Sequence, residues 1–320
     1  MPLLLERAIR AAFLLIGVSF LTFLLLAAAP GDFADELRLN PQINPATVDA
    51  IRVEFGLDAP LLTRYGRWLR ATAHGHFGYS ISYRLPVERV IWRRAINTVL
   101  LTTTALVIAW SLAMAIGLGA AMADRSGLDR TIGILAAALL AIPDLLIALA
   151  LLTVSAHAGW LPVGGMSSAG AVAGRWDAIR DLVAHMALPV TVLTLATIPG
   201  LLQHVRRALA SSMPAPLATA LAARGLPRTR LIARHALRLA SAPLAALGGL
   251  TLGTILSAGL LVEVLVGWPG MGTLMLEAVL ARDQFVIVAA TVLSTAVLIA
   301  GNAVGDLLVY AADPRTRGVR

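Results

Sequence analysis

The 320-residue sequence contains no cysteine, which excludes a disulfide framework, a thiolate metal site and a cysteine nucleophile. Lysine is absent too, so all 26 basic residues are arginine. Aromatic residues make up 5% of the chain and charged residues 14%. A nucleic-acid binder carrying the same net charge of +8 would interleave basic patches with aromatic stacking groups. These arginines read instead as topology-setting charge at the ends of membrane helices, and no nucleic-acid partner is expected. No G-x-x-x-x-G-K-[ST] phosphate loop occurs, which removes ATP hydrolysis from this chain. Neither an H-E-x-x-H arrangement nor a convergent carboxylate pair is there to support intramembrane proteolysis.

What the sequence has in excess is apolar surface. A hydrophobic content of 58% is more than one soluble core buries, and it places the chain in membrane lipid. Six apolar runs, at about 8–29, 97–121, 131–156, 182–203, 242–266 and 285–311, are each long enough to cross a hydrocarbon core of about 30 Å as a helix. The first run reads as an uncleaved span, since no clear cleavage site follows it. With the N-terminus inside, the inner pieces hold Arg7, Arg10, Arg125, Arg130, seven arginines from Arg206 to Arg238, and Arg315, Arg317 and Arg320. The short outer loops then hold only Arg175, Arg180 and Arg282. Segment 31–96 has nine arginines but also seven carboxylates, and it exceeds the length over which the positive-inside bias acts. Both termini are therefore expected on the cytoplasmic side.

The chain divides into a first span with an outer segment (1–96), a five-helix core (97–311) and a short tail (312–320). In the outer segment, helical patterns run over Ala46–Phe55 and Leu61–Ala73. Asn44 before Pro45 reads as an N-cap followed by proline at the first helical position. Inside the core, loop 205–241 carries Arg224, Arg228, Arg230, Arg234 and Arg238, and from Met213 to Pro243 it has no acidic residue. Leu217–Gly225 is expected to form a short helix of small side chains ended by Gly225 in the left-handed conformation, with a second, basic helix beginning at Leu226. Such a helix fits deep into a groove of a soluble partner, with arginines at the rim.

Several blocks in order along the chain are similar to one known family. They are Ser19-Phe20-Leu21-Thr22-Phe23 with Ala29-Pro30-Gly31-Asp32; Phe55-Gly56-Leu57-Asp58-Ala59-Pro60-Leu61; Tyr65-Gly66-Arg67-Trp68-Leu69; and Gly75-His76-Phe77-Gly78-Tyr79-Ser80. Thr219-Ala220, Arg224-Gly225-Leu226 and Ile232 with His235-Ala236-Leu237-Arg238 follow, then Val262-Glu263, Trp268-Pro269-Gly270-Met271-Gly272, Arg282-Asp283, Asn302 with Asp306, and Asp313-Pro314-Arg315. Together they resemble the permease subunits of dipeptide, oligopeptide and nickel importers of the ATP-binding cassette class.

The resemblance implies an all-α, polytopic protein of six transmembrane helices with the type I importer permease fold and a helical extracytoplasmic segment after the first helix. It implies a bacterial inner-membrane location and transport of di- or oligopeptides, or alternatively of nickel or another small solute. The implied partners are a second homologous permease subunit, two cytoplasmic ATP-binding subunits, an extracytoplasmic solute-binding protein and membrane lipid. ATP and magnesium would be bound by the partners, with no cofactor in this chain. Thr219, Ala220, Ala223, Arg224, Gly225, Leu226, His235 and Arg238 would couple to the ATPase. Three departures stand out: Pro216-Leu217 occupies the place of an acidic-aromatic pair, Leu239 that of an asparagine, and His76 that of an aspartate.

Asp144, after Pro143 within the third run, is a carboxylate where hydrocarbon disfavours charge, so it is expected to line a polar path. Glu263 and Trp268, at a glycine-rich turn on the outer end of the fifth run, are the other candidates for the translocation pathway. Pro143, Pro189 and Pro199 are expected to curve their helices. Asn302 and Asp306 share a face of the last helix and read as a structural bridge. His74, His76, His157 and His185 fall toward the outside, but they are scattered and no metal site is assigned to them.

Overall fold

The computed structural model describes residues 2–29, 31, 38, 44–54, 56, 58–122, 127–168 and 174–312. Outside these lie Pro30, Asp32, Asn40-Pro41, Phe55, Leu57, Arg125 and the tail from Asp313, all of which entered the sequence reading. The elements are α1 (Pro2–Ala28), α2 (Pro45–Glu54), α3 (Leu61–Ala73), the hairpin β1 (Tyr79–Ser80) and β2 (Leu85–Pro86), α4 (Val87–Met122), α5 (Gly127–Leu140), α6 (Asp144–Ala158) and α7 (Arg175–Ser211). They continue as α8 (Ala215–Ala223), α9 (Arg228–Arg230), a π-helical stretch (Leu231–Ala236), α10 (Leu237–Val266), α11 (Met271–Leu280) and α12 (Gln284–Ala312).

Among the described residues, five helical stretches are long and apolar enough to cross a membrane: Leu5–Ala28, Val87–Met122, Arg175–Ser211, Leu231–Val266 and Gln284–Ala311. The third apolar run, expected as one span over 131–156, is two helices, α5 and α6, bent by 92° at a break ahead of Asp144, and together they pass as a sixth, broken span. Pro143 has no N–H to donate and sits extended at φ −56°, ψ 136°, and it disfavours helical geometry at the residue before it. Pro189 and Pro199, by contrast, lie buried inside α7 without ending it. Packing separates the cases: half of the apolar window of α7 is buried, whereas residues 140–146 around Pro143 are exposed, and neighbouring helices hold a proline-containing helix together.

The described residues form two compact units. The first joins residues 1–97 to 269–299. Here α3 lays Tyr65 and Trp68 against Phe23 of α1 and Val288 of α12, with Tyr65 edge-on to both Phe20 and Phe23. Ser19 Oγ and Tyr65 Oη are 3.0 Å apart, and Trp68 Nε1 donates to the Phe77 carbonyl at 3.1 Å. The N-cap expected at Asn44 is present, its Oδ1 accepting from Ala46 N at 2.9 Å. Tyr83, in the hairpin loop, donates to Glu277 of α11, and Arg94 reaches the same carboxylate at 3.1 Å. Burial, then the Glu277 carboxylate, push the Tyr83 hydroxyl up to about 12, so it stays a donor.

The second unit joins residues 98–268 to 300–320. Its helices cross on glycine. A Cβ at Gly305 would lie 2.3 Å from Gly249 Cα, one at Gly117 would lie 2.8 Å from Val205, and one at Gly259 would lie 2.8 Å from Thr102. Small residues allow this close approach of helices, which in lipid supplies packing energy where no hydrophobic effect operates between them.

Candidate functional site

The loop 205–241 carries one candidate site. α8 occupies Ala215–Ala223, and Gly225 follows with φ +75°, the left-handed turn expected of it. An added Cβ at Gly225 would meet nothing within 4 Å, so glycine is held there by its backbone angle rather than by space. Thr219, Ala220, Ala223, Arg224 and Gly225 are exposed, whereas Leu221 turns inward against the cluster of Leu209, Leu231 and Ile232. The helix thus presents Thr219, Ala220 and Ala223 outward while Leu221 packs it against the unit.

The second helix departs from expectation in its start. Leu226 lies in the link, Pro227 follows, and regular helix begins at Arg228. It passes through the π-helical stretch Leu231–Ala236 and continues directly into α10. The basic helix and the fifth apolar run are therefore one helical rod of 36 residues from Leu231 to Val266. Leu231, Ile232 and Ala236 are buried, His235 is half-buried, and Arg234 and Arg238 are exposed.

A second place of interest is a cavity of about 310 Å³ within the second unit, lined by Asp144, Thr197, His204 and Thr254 among others. The break at Pro143 brings Asp144 to this wall as the first residue of α6. A carboxylate there faces the positive end of its own helix's peptide dipoles. Nothing in the sequence marks His204 for the pathway, since it falls one residue past the apolar run 182–203 and lies far from Asp144 along the chain.

Glu263 and Trp268 are fully buried. Gly267 caps α10 in the left-handed conformation at φ +69°, and Trp268 N donates back to the Glu263 carbonyl at 2.9 Å. Trp268 sits in the cluster of Leu188, Leu193 and Val266, against which Leu161 and Met166 of the preceding loop also pack. Gly165 N donates to the Gly267 carbonyl at 3.1 Å, closing the loop over the turn.

Asp283, read in the sequence only as part of the Arg282-Asp283 block, is an organising residue of the first unit. It is buried and accepts from Ser80 Oγ at 2.6 Å, Ser82 N at 3.3 Å and Val286 N at 3.3 Å. It thereby caps α12 and fastens the hairpin. A Cβ at Gly78, two residues before Ser80, would fall 2.8 Å from the Phe285 ring. Among the histidines, His74, His157 and His185 each set Nδ1 against the carbonyl four residues earlier. Among the described residues no three His, Asp or Glu side chains converge for a metal. Asn302 and Asp306 are exposed on α12.

Residues 113–318 match the family described as binding-protein-dependent transport system inner membrane component. Residues 1–102 match the N-terminal region of binding-protein-dependent transport system membrane components. The chain is 30% identical over 314 residues to the oligopeptide transport system permease protein AppB of Bacillus subtilis (strain 168), covering 98% of each. It is equally 30% identical over 319 residues to the oligopeptide transport system permease protein OppB of Mycobacterium bovis, again covering 98% of each. The glutathione transport system permease protein GsiC of Salmonella paratyphi A is 30% identical over 304 residues, covering 95% of this chain and 94% of that one. An inward-facing structure of the MetNI methionine ABC transporter superposes with a TM-score of 0.58 at 17% identity, over 70% of this chain and 96% of the other.

Proposed function

The chain belongs to the family of binding-protein-dependent transport system inner membrane components, and from that premise we propose that it is the permease subunit of an importer of di- or oligopeptides. Its fold is that of an ABC importer permease, a membrane subunit and not an enzyme, and such permeases work with ATPase subunits and a substrate-binding protein. In this reading the partners are a second homologous permease, two cytoplasmic ATP-binding subunits that hold ATP and magnesium, and an external solute-binding protein. Both termini and the loop 205–241 face the cytoplasm, as the arginine distribution favours. Residues 1–96 form the first span and its outer cap, 97–311 the core, and 312–320 a tail.

The observation that carries the proposal is the joint between α8 and the 36-residue rod of the fifth span. α8 exposes Thr219, Ala220 and Ala223, with Arg224, to a partner's groove. Gly225 turns the chain back, and the π-helical stretch leads without interruption into the membrane. Motion imposed on α8 by closing ATPase subunits passes along that rod. His235 and Arg238 lie on it beside the docking helix, and Leu226 sits in the link. On the substrate path stand Asp144, exposed at the cavity, and Glu263 with Trp268 at the capped turn, these two buried in this conformation and uncovered as the spans alternate. The peptide substrate is supported by the similarity to the AppB and OppB proteins over nearly the whole chain.

Uptake by proteoliposomes holding the complete complex tests this reading. Labelled peptide is expected to accumulate only with ATP inside the compartment that carries the ATPases and with the binding protein on the opposite side. ATP-driven accumulation of nickel, with none of peptide, would overturn it in favour of the small-solute alternative.

A further inference from the structure

The cavity in the second unit has walls from α5, α6, α7 and α10, and its polar lining consists of Asp144, Thr197, His204, Thr251 and Thr254. Three of these have already spent their hydrogens. Thr197 Oγ1 donates to the Leu193 carbonyl at 2.7 Å, Thr251 Oγ1 to that of Leu247 at 2.7 Å, and Thr254 Oγ1 to that of Thr251 at 3.0 Å. His204 Nδ1 lies 2.7 Å from the Gly200 carbonyl, an oxygen that only accepts, so this nitrogen carries the hydrogen. In the neutral ring Nε2 is then an acceptor. The Asp144 carboxylate, also an acceptor, makes no hydrogen bond or ion pair with another described residue.

With His204 neutral, the side chains of the wall therefore offer lone pairs and negative charge but no hydrogen. Carboxylate and phosphate groups find no donor among these side chains. A complementary ligand is cationic and rich in N–H, which supplies the counter-charge that a carboxylate in apolar surroundings requires. A volume of about 310 Å³ far exceeds one bare ion, which demands a tight cage of six or more oxygens, and falls in the range of organic ligand sites. We propose that this cavity receives the protonated α-amino group of a peptide in transit, with Asp144 as its counter-ion and the threonine oxygens and His204 Nε2 as further acceptors. The preference for an ammonium group stands on the lining itself, while its identity as a peptide terminus rests on the import reading above.

Equilibrium binding of radiolabelled trialanine and N-acetyltrialanine to the detergent-solubilised complete transporter, without the solute-binding protein and its own selectivity, tests the assignment. The native complex is expected to favour the free amine by about tenfold or more, the effect of one charge-assisted contact. Asp144→Asn is expected to abolish the preference, Asp144→Glu to keep most of it, and Thr254→Val, which removes one acceptor at constant volume, to weaken trialanine several-fold without affecting the acetylated peptide. Equal binding of the two peptides, no binding of either, or a preference that survives Asp144→Asn overturns the assignment. Displacement of trialanine by sodium chloride but not by n-propylammonium chloride also overturns it, giving the cavity to an inorganic cation. A complex that shows the amine preference yet takes up no peptide in proteoliposomes sinks the import reading and leaves the site standing.

Discussion

At Gly225 a single backbone angle does the work. With φ at +75° and open space around the missing side chain, any β-branched residue there carries a cost of about 1–2 kcal/mol from its clash with the carbonyl. Asparagine tolerates the same angle. Gly225→Val is therefore expected to insert and assemble but to lose most ATP-driven uptake while retaining ATPase binding, and Gly225→Asn to restore much of it. Equal uptake by the valine variant and the native complex would disconnect this turn from coupling. Gly225 was legible in the sequence because helix termination is local. Asp283 was not: its donor Ser80 lies 203 residues away in sequence, and nothing near Asp283 marks it as a buried acceptor rather than one more charge in an outer loop. Trp268 shows the same limit, since its place in a turn was readable but its complete burial under Leu161 and Met166 was not.

Between elements, contact is decided by residues too small to draw notice. Asn302 and Asp306 caught attention as polar groups on one face of α12, yet the close approach is made by Gly305 between them, whose added Cβ would lie 2.3 Å from Gly249 Cα of α10. Backbone meets backbone there, so no side-chain rearrangement makes room. Gly305→Val is expected to force α10 and α12 apart and to destabilise the solubilised protein by about 1–3 kcal/mol, the usual cost of overpacking. That loss reads out as a melting temperature lowered by several degrees, whereas Gly119→Val, at a helix position with nothing within 4 Å, should leave it within error. The bend before Asp144 belongs to this scale too. Proline alone did not determine it, since Pro189 and Pro199 leave α7 intact. What differs is that α7 is packed on many sides and residues 131–156 are not.

For the whole molecule, the orientation of every span follows from one assignment, and the absence of cysteine makes that assignment directly measurable. A chain with no native thiol carries a single reactive site when one cysteine is introduced. Thr219→Cys on α8 and Arg70→Cys on α3 are both at exposed positions. In sealed cells a membrane-impermeant maleimide is expected to label Arg70→Cys at once and Thr219→Cys only after permeabilisation. The reverse pattern would invert the topology and place the coupling loop on the side without ATP. The membrane class, the number of apolar runs, the left-handed turn after α8 and the arginine asymmetry were all determined by the sequence alone, because each depends on composition or on neighbours within a few residues. The glycine crossings, the Ser80–Asp283 anchor and the acceptor-lined cavity were decided only in three dimensions. Helices that are apolar on every side do not show by periodicity which face meets another helix and which meets lipid. Residues as far apart as Leu140 and Ala258 share one cavity wall solely because the helices that carry them pack together.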